Sequence, residues 1–287
     1  MGTLTDVVGV GASTPADGYV GDVFRHELTR IPGLQLVNFS CSGATTTTVL
    51  HGGGYTFTTG SQLGDAEQFL QAHRGQVALL TIDIGANNID GCFSLSGIDA
   101  SYVTTGEGHV ATELPQIMSG LRNAYSGLRT YRMNYYDPYL AAWLFGTGGQ
   151  ALAQESVTTT VAFNALLDQT YQAVGAPVAD VQARFETTNF ALTGSVNGAT
   201  VPQNVSVVCQ RTHMCTSLDI HTNDAGHTQL ATAFAQVIDG SSRNGAGTGY
   251  WLGVSDGGIF NYGDAGFSGP AGALALNKPI VGMAPGP

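Results

Sequence analysis

The sequence predicts an α/β fold, a three-layer sandwich in which helices cover both faces of a five-stranded parallel sheet. Short apolar segments alternate with segments of helical periodicity over the first 240 residues, a pattern typical of parallel sheets. The segment VALLTIDIG at residues 77–85 is almost wholly apolar, as expected of a strand that is buried on both faces. With 287 residues, 43% of them hydrophobic, the chain is long enough for one large domain with a complete core.

The predicted elements follow one another as strand–helix units. The strands are expected at about residues 6–11, 34–39, 77–85, 133–138 and 177–181. The helices are expected at about residues 18–31, 65–73, 112–131, 156–174 and 223–238. In the first helix Val20, Val23 and Phe24 fall on one face, and in the last helix Leu230 and Phe234 do the same. The polar, Gly- and Thr-rich residues between the second strand and residue 64 show no regular pattern.

The composition changes after residue 240. Residues 241–248 are rich in Gly and Ser and predict a linker, and residues 249–287 show no helical pattern. Within this last segment, residues 250–254 and 259–262 predict two short strands that form a β-hairpin about a Ser-Asp-Gly-Gly turn. The segment resembles one unit of the GYWL-x-x-SDGGIF repeat of exported actinobacterial proteins. Such a unit either packs on the main domain, residues 1–240, or belongs to a longer array.

The charge and hydropathy of the chain argue against two kinds of partner. Ten Lys and Arg residues against 21 Asp and Glu give a net charge of −11, without a basic cluster, and this charge repels nucleic-acid backbones. No segment reaches the roughly 18 consecutive apolar residues of a membrane span. The chain begins almost inside its first strand, which predicts an exported protein whose leader segment has been removed. We expect a monomer.

Four cysteines without the CxxC spacing of a metal site leave two alternatives. They are either four reduced, buried thiols or two disulfides of an exported protein, and we prefer the disulfides. Cys209 and Cys215 are close enough in sequence to close one loop, and Cys41 and Cys92, which each follow a turn at the predicted site, form the other pair. The histidines also lack the spacing of metal ligands, so we expect no metal.

Residues suited to nucleophilic catalysis follow the carboxyl ends of predicted strands. Ser13 follows the first strand, Gly43 the second and Asn87 the third, while His221 precedes the last helix. Ligands of parallel sheets bind beyond the carboxyl ends of the strands. A serine needs a base to act as a nucleophile, and the oxyanion that then develops needs N–H donors, each worth about 3–4 kcal/mol. The backbone amides of Ser13 and Gly43 and the side chain of Asn87 would supply three.

The segments GAST, NFSCSGA, IGANN and DIHTNDAGH resemble, in this order, the four signature blocks of the SGNH (GDSL) hydrolase family. MNYYDPYLAAW, between the third and fourth, resembles the secreted actinobacterial esterase and lipase branch of that family. The resemblance extends over about residues 6–238 and implies a flavodoxin-like sandwich. It implies Ser13 as nucleophile, Ser13, Gly43 and Asn87 as the oxyanion hole, and His221 as general base. It also implies a small-molecule or lipid ester as substrate and no cofactor.

Two positions depart from the family pattern. Ala12 stands where the family usually has an aspartate that holds the nucleophile loop by hydrogen bonds. The acid that orients the histidine commonly lies three residues before it, and here that position is Leu218. Asp219, two residues before His221, is one candidate for the orienting role, and the backbone carbonyl of Leu218 is the other.

Two further motifs match a different hydrolase fold and are excluded by chain order. HGGG at residues 51–54 and GVSDG at residues 253–257 match motifs of α/β-hydrolases. In that fold a helix follows the nucleophile and the histidine comes later in the chain. Ser255 instead lies in a predicted hairpin turn, and the last histidine, His227, precedes it. HGGG is then interpreted as a mobile loop at the rim of the cleft.

Together these residues predict an ester hydrolase that works through an acyl–Ser13 intermediate. Apolar side chains at residues 137–149, with the region 45–64, favour acyl or aryl esters over highly charged substrates. Two alternatives remain open. One is a carbohydrate acetyl esterase with the same site. The other is a protein whose site has decayed, as marked by Ala12, and which binds glycan or cell wall through its C-terminal segment.

Overall fold

The computed structural model describes residues 6–11, 18–94, 97–244, 250–253 and 259–262, and the chain divides into two compact units, Met1–Ala235 and Gln236–Pro287. In chain order the strands are β1 (Asp6–Gly11), β2 (Gln35–Asn38), β3 (Val77–Asp83), β4 (Phe93–Ser94), β5 (Gly97–Ile98), β6 (Thr130–Met133), β7 (Val178–Ala179), β8 (Gly194–Val196), β9 (Ala199–Val201), β10 (Tyr250–Gly253) and β11 (Ile259–Tyr262). The helices are α1 (Tyr19–Leu28), α2 (Thr46–His51), α3 (Gln62–Ala72), α4 (Ala86–Ile89), α5 (Ala100–Ala124), α6 (Gly146–Gln172), α7 (Val181–Arg184), α8 (Gln203–Arg211), α9 (Met214–Ser217) and α10 (Asp224–Asn244), with 3₁₀ turns at Asp90–Cys92 and Pro138–Phe145.

The main sheet has the strand order β2-β1-β3-β6-β7, and every neighbouring pair is parallel. The register places Gly11 of β1 beside Asp83 of β3, so these two strands end at the same edge. All seven residues of β3 are buried, which confirms that this strand is covered on both faces. The α/β class predicted from the sequence is confirmed.

Side chains of β3 alternate between two apolar layers because successive residues of a strand point to opposite faces. Leu80 packs in a cluster that includes Phe163 of α6 and residues of α3 and α5. Leu79, on the other face, is also completely buried. Burying an aliphatic side chain of this size stabilises the fold by about 1.5–3 kcal/mol. Elsewhere, Tyr19 of α1 and Phe234 of α10 stack with their ring centroids 5.3 Å apart.

The predicted start of α5 at about residue 112 is wrong, because the helix begins at Ala100. Asp99 caps it, since its carboxylate accepts hydrogen bonds from the backbone N–H groups of Ser101 at 2.9 Å and Tyr102 at 3.1 Å. Glycines weaken a helical pattern, but Gly106 is required here. A Cβ at that position would lie 2.2 Å from the carbonyl oxygen of Asn88.

Other boundaries also differ from the pattern. α5 ends at Ala124 and not near residue 131, so that residues 130–133 form β6. α6 begins at Gly146, about ten residues before the predicted start, and α10 continues to Asn244, into the predicted linker. The hairpin β8–β9 and helices α2, α8 and α9 have no counterpart among the predicted elements.

The HGGG segment ends helix α2, which a capping box between Thr45 and Thr48 begins. Its three glycines have φ of 82°, 120° and 74°, values that other residues rarely adopt. Gly52 also has no room for a side chain, because a Cβ would lie 2.1 Å from the carbonyl oxygen of Gly60. The glycines therefore serve the turn after α2.

In the second unit, β10 and β11 pair as antiparallel strands with Tyr250 opposite Tyr262. This is the hairpin expected from the sequence, and its turn, including Ser255, lies outside the described residues. None of the described helices has the length and apolar character of a transmembrane span.

Asp137 makes the stability of the fold depend on pH. The residue is completely buried and caps the 3₁₀ turn that follows it, accepting hydrogen bonds from the Ser156 hydroxyl at 2.6 Å and the Tyr139 N–H at 2.9 Å. Burial raises its pKa to about 7, although these hydrogen bonds act in the opposite direction. The unfolded carboxyl group titrates near pH 4, so between about pH 4 and pH 7 only the folded state keeps the proton.

The free energy of unfolding is therefore expected to fall as pH rises through this window and to level above pH 7. The contribution of Asp137 is up to about 4 kcal/mol, at about 1.4 kcal/mol per pH unit. Urea unfolding at pH 5 and pH 8 measures this change in the free energy of unfolding. Asp137→Asn should reduce the difference between the free energies of unfolding at pH 5 and pH 8. An unchanged difference would mean that Asp137 is already ionised in the folded protein.

Candidate active site

The candidate site is a cleft of about 610 Å³ at the carboxyl edge of the sheet. It lies where β2 and β3 end and where the loop before α10 returns to the sheet. The lining residues from these segments are Ser42, Gly43, Asp83, Ile84, Gly85, Ala86, Asn87, His213, Asp219, Ile220, His221, Thr222 and His227. Aromatic residues contribute much of the remaining wall, namely Tyr19, Phe93, Tyr135, Tyr136, Tyr139 and Phe163.

Gly43 and Asn87, the predicted oxyanion donors, lie together in this cleft. Gly43 has φ of 70° in the turn after β2, and Asn87 lies in the first turn of α4, which follows β3 directly. The Asn87 side-chain amide donates a hydrogen bond to the Ala44 carbonyl at 2.9 Å. An amide NH₂ has two N–H groups, so this bond orients the group and leaves one N–H for another acceptor.

Asp219 and His221 form a side-chain pair in the same cleft. The Nδ1 atom of His221 lies 2.5 Å from Oδ1 of Asp219, and the backbone N–H of His221 donates to the same oxygen at 2.9 Å. The second bond closes an Asx turn, which lets an acid only two residues away reach the ring. Leu218, which precedes the turn, ends α9 with a left-handed backbone, φ 58°. The geometry thus favours the Asp219 carboxylate over the Leu218 carbonyl as the partner of the ring.

Asp219 keeps its charge to a lower pH than an ordinary aspartate does. The hydrogen bonds from the backbone and side chain of His221 lower its pKa. Both side chains are substantially exposed, His221 by 77% and Asp219 by 48%. The interaction between them is therefore screened by solvent more than a buried pair would be.

The loop that carries His221 is held at several points. The His221 carbonyl accepts a hydrogen bond from the His213 N–H at 3.0 Å, and the Ile220 carbonyl accepts one from the hydroxyl of the half-buried Tyr136 at 2.7 Å. On either side, Thr212 and Thr222 form a β-bridge. The Cys209–Cys215 disulfide is present and links α8 to α9 immediately before this loop. The predicted disulfide thus restrains the segment that carries His221.

The other predicted disulfide is not formed, because Cys41 and Cys92 are free thiols. Cys41 follows β2, and Cys92 is buried in the 3₁₀ turn after α4. β1 lies between β2 and β3 in the sheet, so about two strand spacings, or roughly 10 Å, separate the ends of these strands. A disulfide usually spans less than about 7 Å between Cα atoms. Burial raises the pKa of Cys92 to about 11.

Ser13, the predicted nucleophile, and Ala12 lie outside the described residues. The described part of β1 ends at Gly11 beside Asp83, which lines the cleft. Ser13 follows Gly11 by two residues in the chain. The role of Ser13 therefore stays a prediction.

Three cleft residues had no role in the predicted site. Asp83 is the buried last residue of β3, and Tyr19 hydrogen-bonds to it. His213 and His227 line the cleft beside His221. Burial lowers the pKa of His227, whose ring contacts the Thr222 hydroxyl. Their signal in the sequence was only their position next to a strand end or a helix start.

Among the described residues of the cleft, no three histidine, cysteine or carboxylate groups lie close enough together to hold a metal ion. What the arrangement offers is a histidine paired with a carboxylate, in the same cleft as a side-chain amide. These groups can move a proton and stabilise a negative oxygen.

Comparison with known proteins finds a family whose model matches most of the chain. The model of the GDSL-like Lipase/Acylhydrolase family matches residues 4–229. No curated protein matches the chain.

Solved structures with similar folds include two lipolytic enzymes. Phospholipase A1 from Streptomyces albidoflavus NA297 is 14% identical with a TM-score of 0.52, and the match covers 81% of this chain and 99% of that one. The lipase Lip_vut3 from a goat rumen metagenome is 14% identical with a TM-score of 0.51, covering 81% of this chain and 96% of that one. At these identities the similarity shows the fold alone.

Proposed function

The chain belongs to the GDSL-like Lipase/Acylhydrolase family, and from this premise we propose that it hydrolyses uncharged carboxylic esters through an acyl–Ser13 intermediate. The observation that carries the proposal is the convergence of Gly43, Asn87 and the Asp219–His221 pair on one cleft. These residues come from three separate segments of the chain. β1 ends at the same edge of the sheet, and in this proposal Ser13, which follows β1 in the chain, completes the set.

The proposed reaction has two steps in which His221 acts first as base and then as acid. Nε2 of His221 takes the proton of the Ser13 hydroxyl while Oγ attacks the carbonyl carbon of the ester. The negative oxygen of the tetrahedral intermediate accepts hydrogen bonds from the backbone N–H groups of Ser13 and Gly43 and from the Asn87 amide. His221 then gives its proton to the leaving alkoxide, and the alcohol departs from the acyl-enzyme.

Hydrolysis of the acyl-enzyme repeats these roles with water in place of Ser13. His221 takes a proton from water, the resulting hydroxide attacks the acyl carbon, and the proton returns to Ser13 Oγ as the acid leaves. Asp219 orients the ring and stabilises the imidazolium that forms in each step. Each step uses groups of the chain and water only.

The lining of the cleft supports an uncharged substrate with an apolar acyl group. The described lining includes the carboxylates of Asp83, Asp90 and Asp219, but neither lysine nor arginine. An anionic group on the substrate would therefore meet repulsion without a compensating cation. The aromatic wall offers apolar area to an acyl chain instead.

The Cys209–Cys215 disulfide supports the proposal that the protein works outside the reducing cytoplasm.

Matched p-nitrophenyl esters test the reaction and the substrate class together. We expect hydrolysis of the butyrate ester, with kcat/KM at least about tenfold higher than for the hemisuccinate ester, because about 1.4 kcal/mol of repulsion gives that ratio. A series from acetate to octanoate then separates an acetyl esterase, which should prefer acetate, from a longer-chain esterase. Equal rates on butyrate and hemisuccinate would contradict the uncharged substrate. Failure of the folded protein to cleave any of these esters would contradict the hydrolase.

A further inference from the structure

We propose that Glu113 is a positioning residue for the oxyanion hole, acting through Thr46 and Asn88. The inference rests on the proposed function, because it concerns the two segments that carry Gly43 and Asn87. Glu113 lies on α5, outside the cleft, and no motif in the sequence indicated it.

A continuous chain of hydrogen bonds connects Glu113 to both segments. The Thr46 hydroxyl donates to the Glu113 carboxylate at 2.6 Å, and the Thr47 hydroxyl donates to the same carboxylate at 2.8 Å. The Thr46 backbone N–H in turn donates to Oδ1 of Asn88 at 3.0 Å, and the Asn88 amide donates to the Thr46 hydroxyl at 2.9 Å. Asn88 thus joins α4 to the start of α2.

The carboxylate fixes the direction of every bond in this chain. An ionised carboxylate only accepts hydrogen bonds, so the Thr46 hydroxyl must direct its single proton towards Glu113. Its oxygen is then free to accept from the Asn88 amide, and this sets which end of that amide faces Thr46. A neutral amide at position 113 could present N–H groups to Thr46 and leave the hydroxyl proton without its acceptor.

Burial makes this direction costly to change. Thr46 is completely buried, Asn88 is 8% exposed and Glu113 is 7% exposed, and an unsatisfied buried polar group costs about 1–3 kcal/mol. Burial alone raises the pKa of Glu113, but hydrogen bonds from Thr46, Thr47 and His109 outweigh it, so that the net pKa is lowered. The group is therefore a carboxylate at neutral pH.

The connected segments are those that carry the proposed oxyanion donors. Gly43 precedes Thr46 by three residues, and Asn87 is the neighbour of Asn88. The separation between the Gly43 N–H and the Asn87 amide thus depends on how α2 and α4 are held against each other. Misplacement of a reacting group by about 1 Å can lower a rate by about 100-fold.

The test compares Glu113→Gln with Glu107→Gln, which removes the same charge from the same helix. For p-nitrophenyl butyrate we expect Glu113→Gln to lower kcat by about tenfold, within the range for misplaced groups. The variant should keep KM within about twofold, because the oxyanion donors act mainly in the transition state. Glu107→Gln should leave both constants unchanged.

Substitutions of Thr46 provide a second, independent test of the positioning role. Thr46→Val removes the hydroxyl at nearly constant volume and should lower kcat as much as Glu113→Gln does. Thr46→Ser keeps the hydroxyl and should retain most of the wild-type kcat. The double variant Glu113→Gln/Thr46→Val should be no slower than either single variant, because both break one chain of bonds. Additive losses, or a loss confined to KM, would overturn the positioning role.

Amide hydrogen exchange separates this inference from the proposed function. The Thr46 N–H should exchange about tenfold faster in Glu113→Gln than in Glu107→Gln, whether or not the protein cleaves the ester. Unchanged exchange would overturn the inference even if the wild-type protein is an active esterase. An inactive wild type would instead contradict the proposed function.

Discussion

Replacement of Ser13 by alanine is expected to lower kcat for ester hydrolysis by about 10⁶-fold, the loss seen when the nucleophile of a serine hydrolase is removed. The alanine variant keeps the backbone N–H that we assign to the oxyanion hole but has no hydroxyl to form the acyl-enzyme. The residual rate should therefore come from binding and oxyanion stabilisation alone, about 10³–10⁴-fold above the reaction in water. Steady-state kinetics on p-nitrophenyl butyrate measure the loss.

Ser255→Ala is the matched control for this variant. Ser255 belongs to the GVSDG segment, which matches the nucleophile motif of another hydrolase fold. We expect full activity in Ser255→Ala. If this variant instead loses activity and Ser13→Ala keeps it, the nucleophile lies in the second unit and the proposed site is wrong.

The second large effect is expected at Asp219. Loss of the acid in a buried serine-hydrolase triad lowers kcat by about 10⁴-fold. Asp219 and His221 are substantially exposed, and screening weakens their interaction. For Asp219→Asn we therefore expect a smaller loss of about 100-fold, because the amide keeps the Asx turn to the His221 backbone and loses the charge that stabilises the imidazolium.

Asp219→Ala separates the turn from the charge. It removes the acceptor of the His221 backbone N–H as well, so its loss of kcat should exceed that of Asp219→Asn. Asp224→Asn, which removes an exposed charge from the next helix, serves as the control and should be nearly neutral. If Asp219→Asn retains wild-type kcat, another group orients the ring, and the Leu218 carbonyl becomes the better candidate.

The sequence was most informative where apolar patterns report burial. The segment at residues 77–85 is almost wholly apolar, and the strand it forms is buried at every residue. From the ends of the predicted strands and the start of the last helix, the sequence alone predicts that Gly43, Asn87 and His221 lie at one edge of the sheet. Parallel strands make this possible because their carboxyl ends share an edge of the sheet.

The sequence was misleading where a residue serves a contact distant in the chain. Gly106 weakened the pattern of α5, yet the structure needs a glycine there because the carbonyl of Asn88 approaches within 2.2 Å of where a Cβ would lie. The prediction paired Cys41 and Cys92 by their positions after turns, without the order of the strands, which puts β1 between β2 and β3, the strands that precede them. Neither the approach of Asn88 to Gly106 nor the order of the strands can be predicted from residues nearby in the sequence.

The candidate site shows the same division. Its residue types follow strand ends and could be predicted, but the approach of Asp219 to His221 depends on the Asx turn within residues 219–221. Glu113 gave no signal at all, because its partners Thr46 and Thr47 are more than 60 residues away in the chain. Such positioning contacts are visible only once the helices are packed.

Mapping the site of a fluorophosphonate adduct by mass spectrometry tests the nucleophile most directly. Cleavage after Arg25 releases residues 1–25, a peptide in which Ser13 is the sole serine, so the adduct can be assigned without ambiguity among serines. We predict one adduct on this peptide in the wild-type protein and none in His221→Ala. An adduct on any other peptide, or equal labelling without the imidazole, would contradict a Ser13 nucleophile activated by His221.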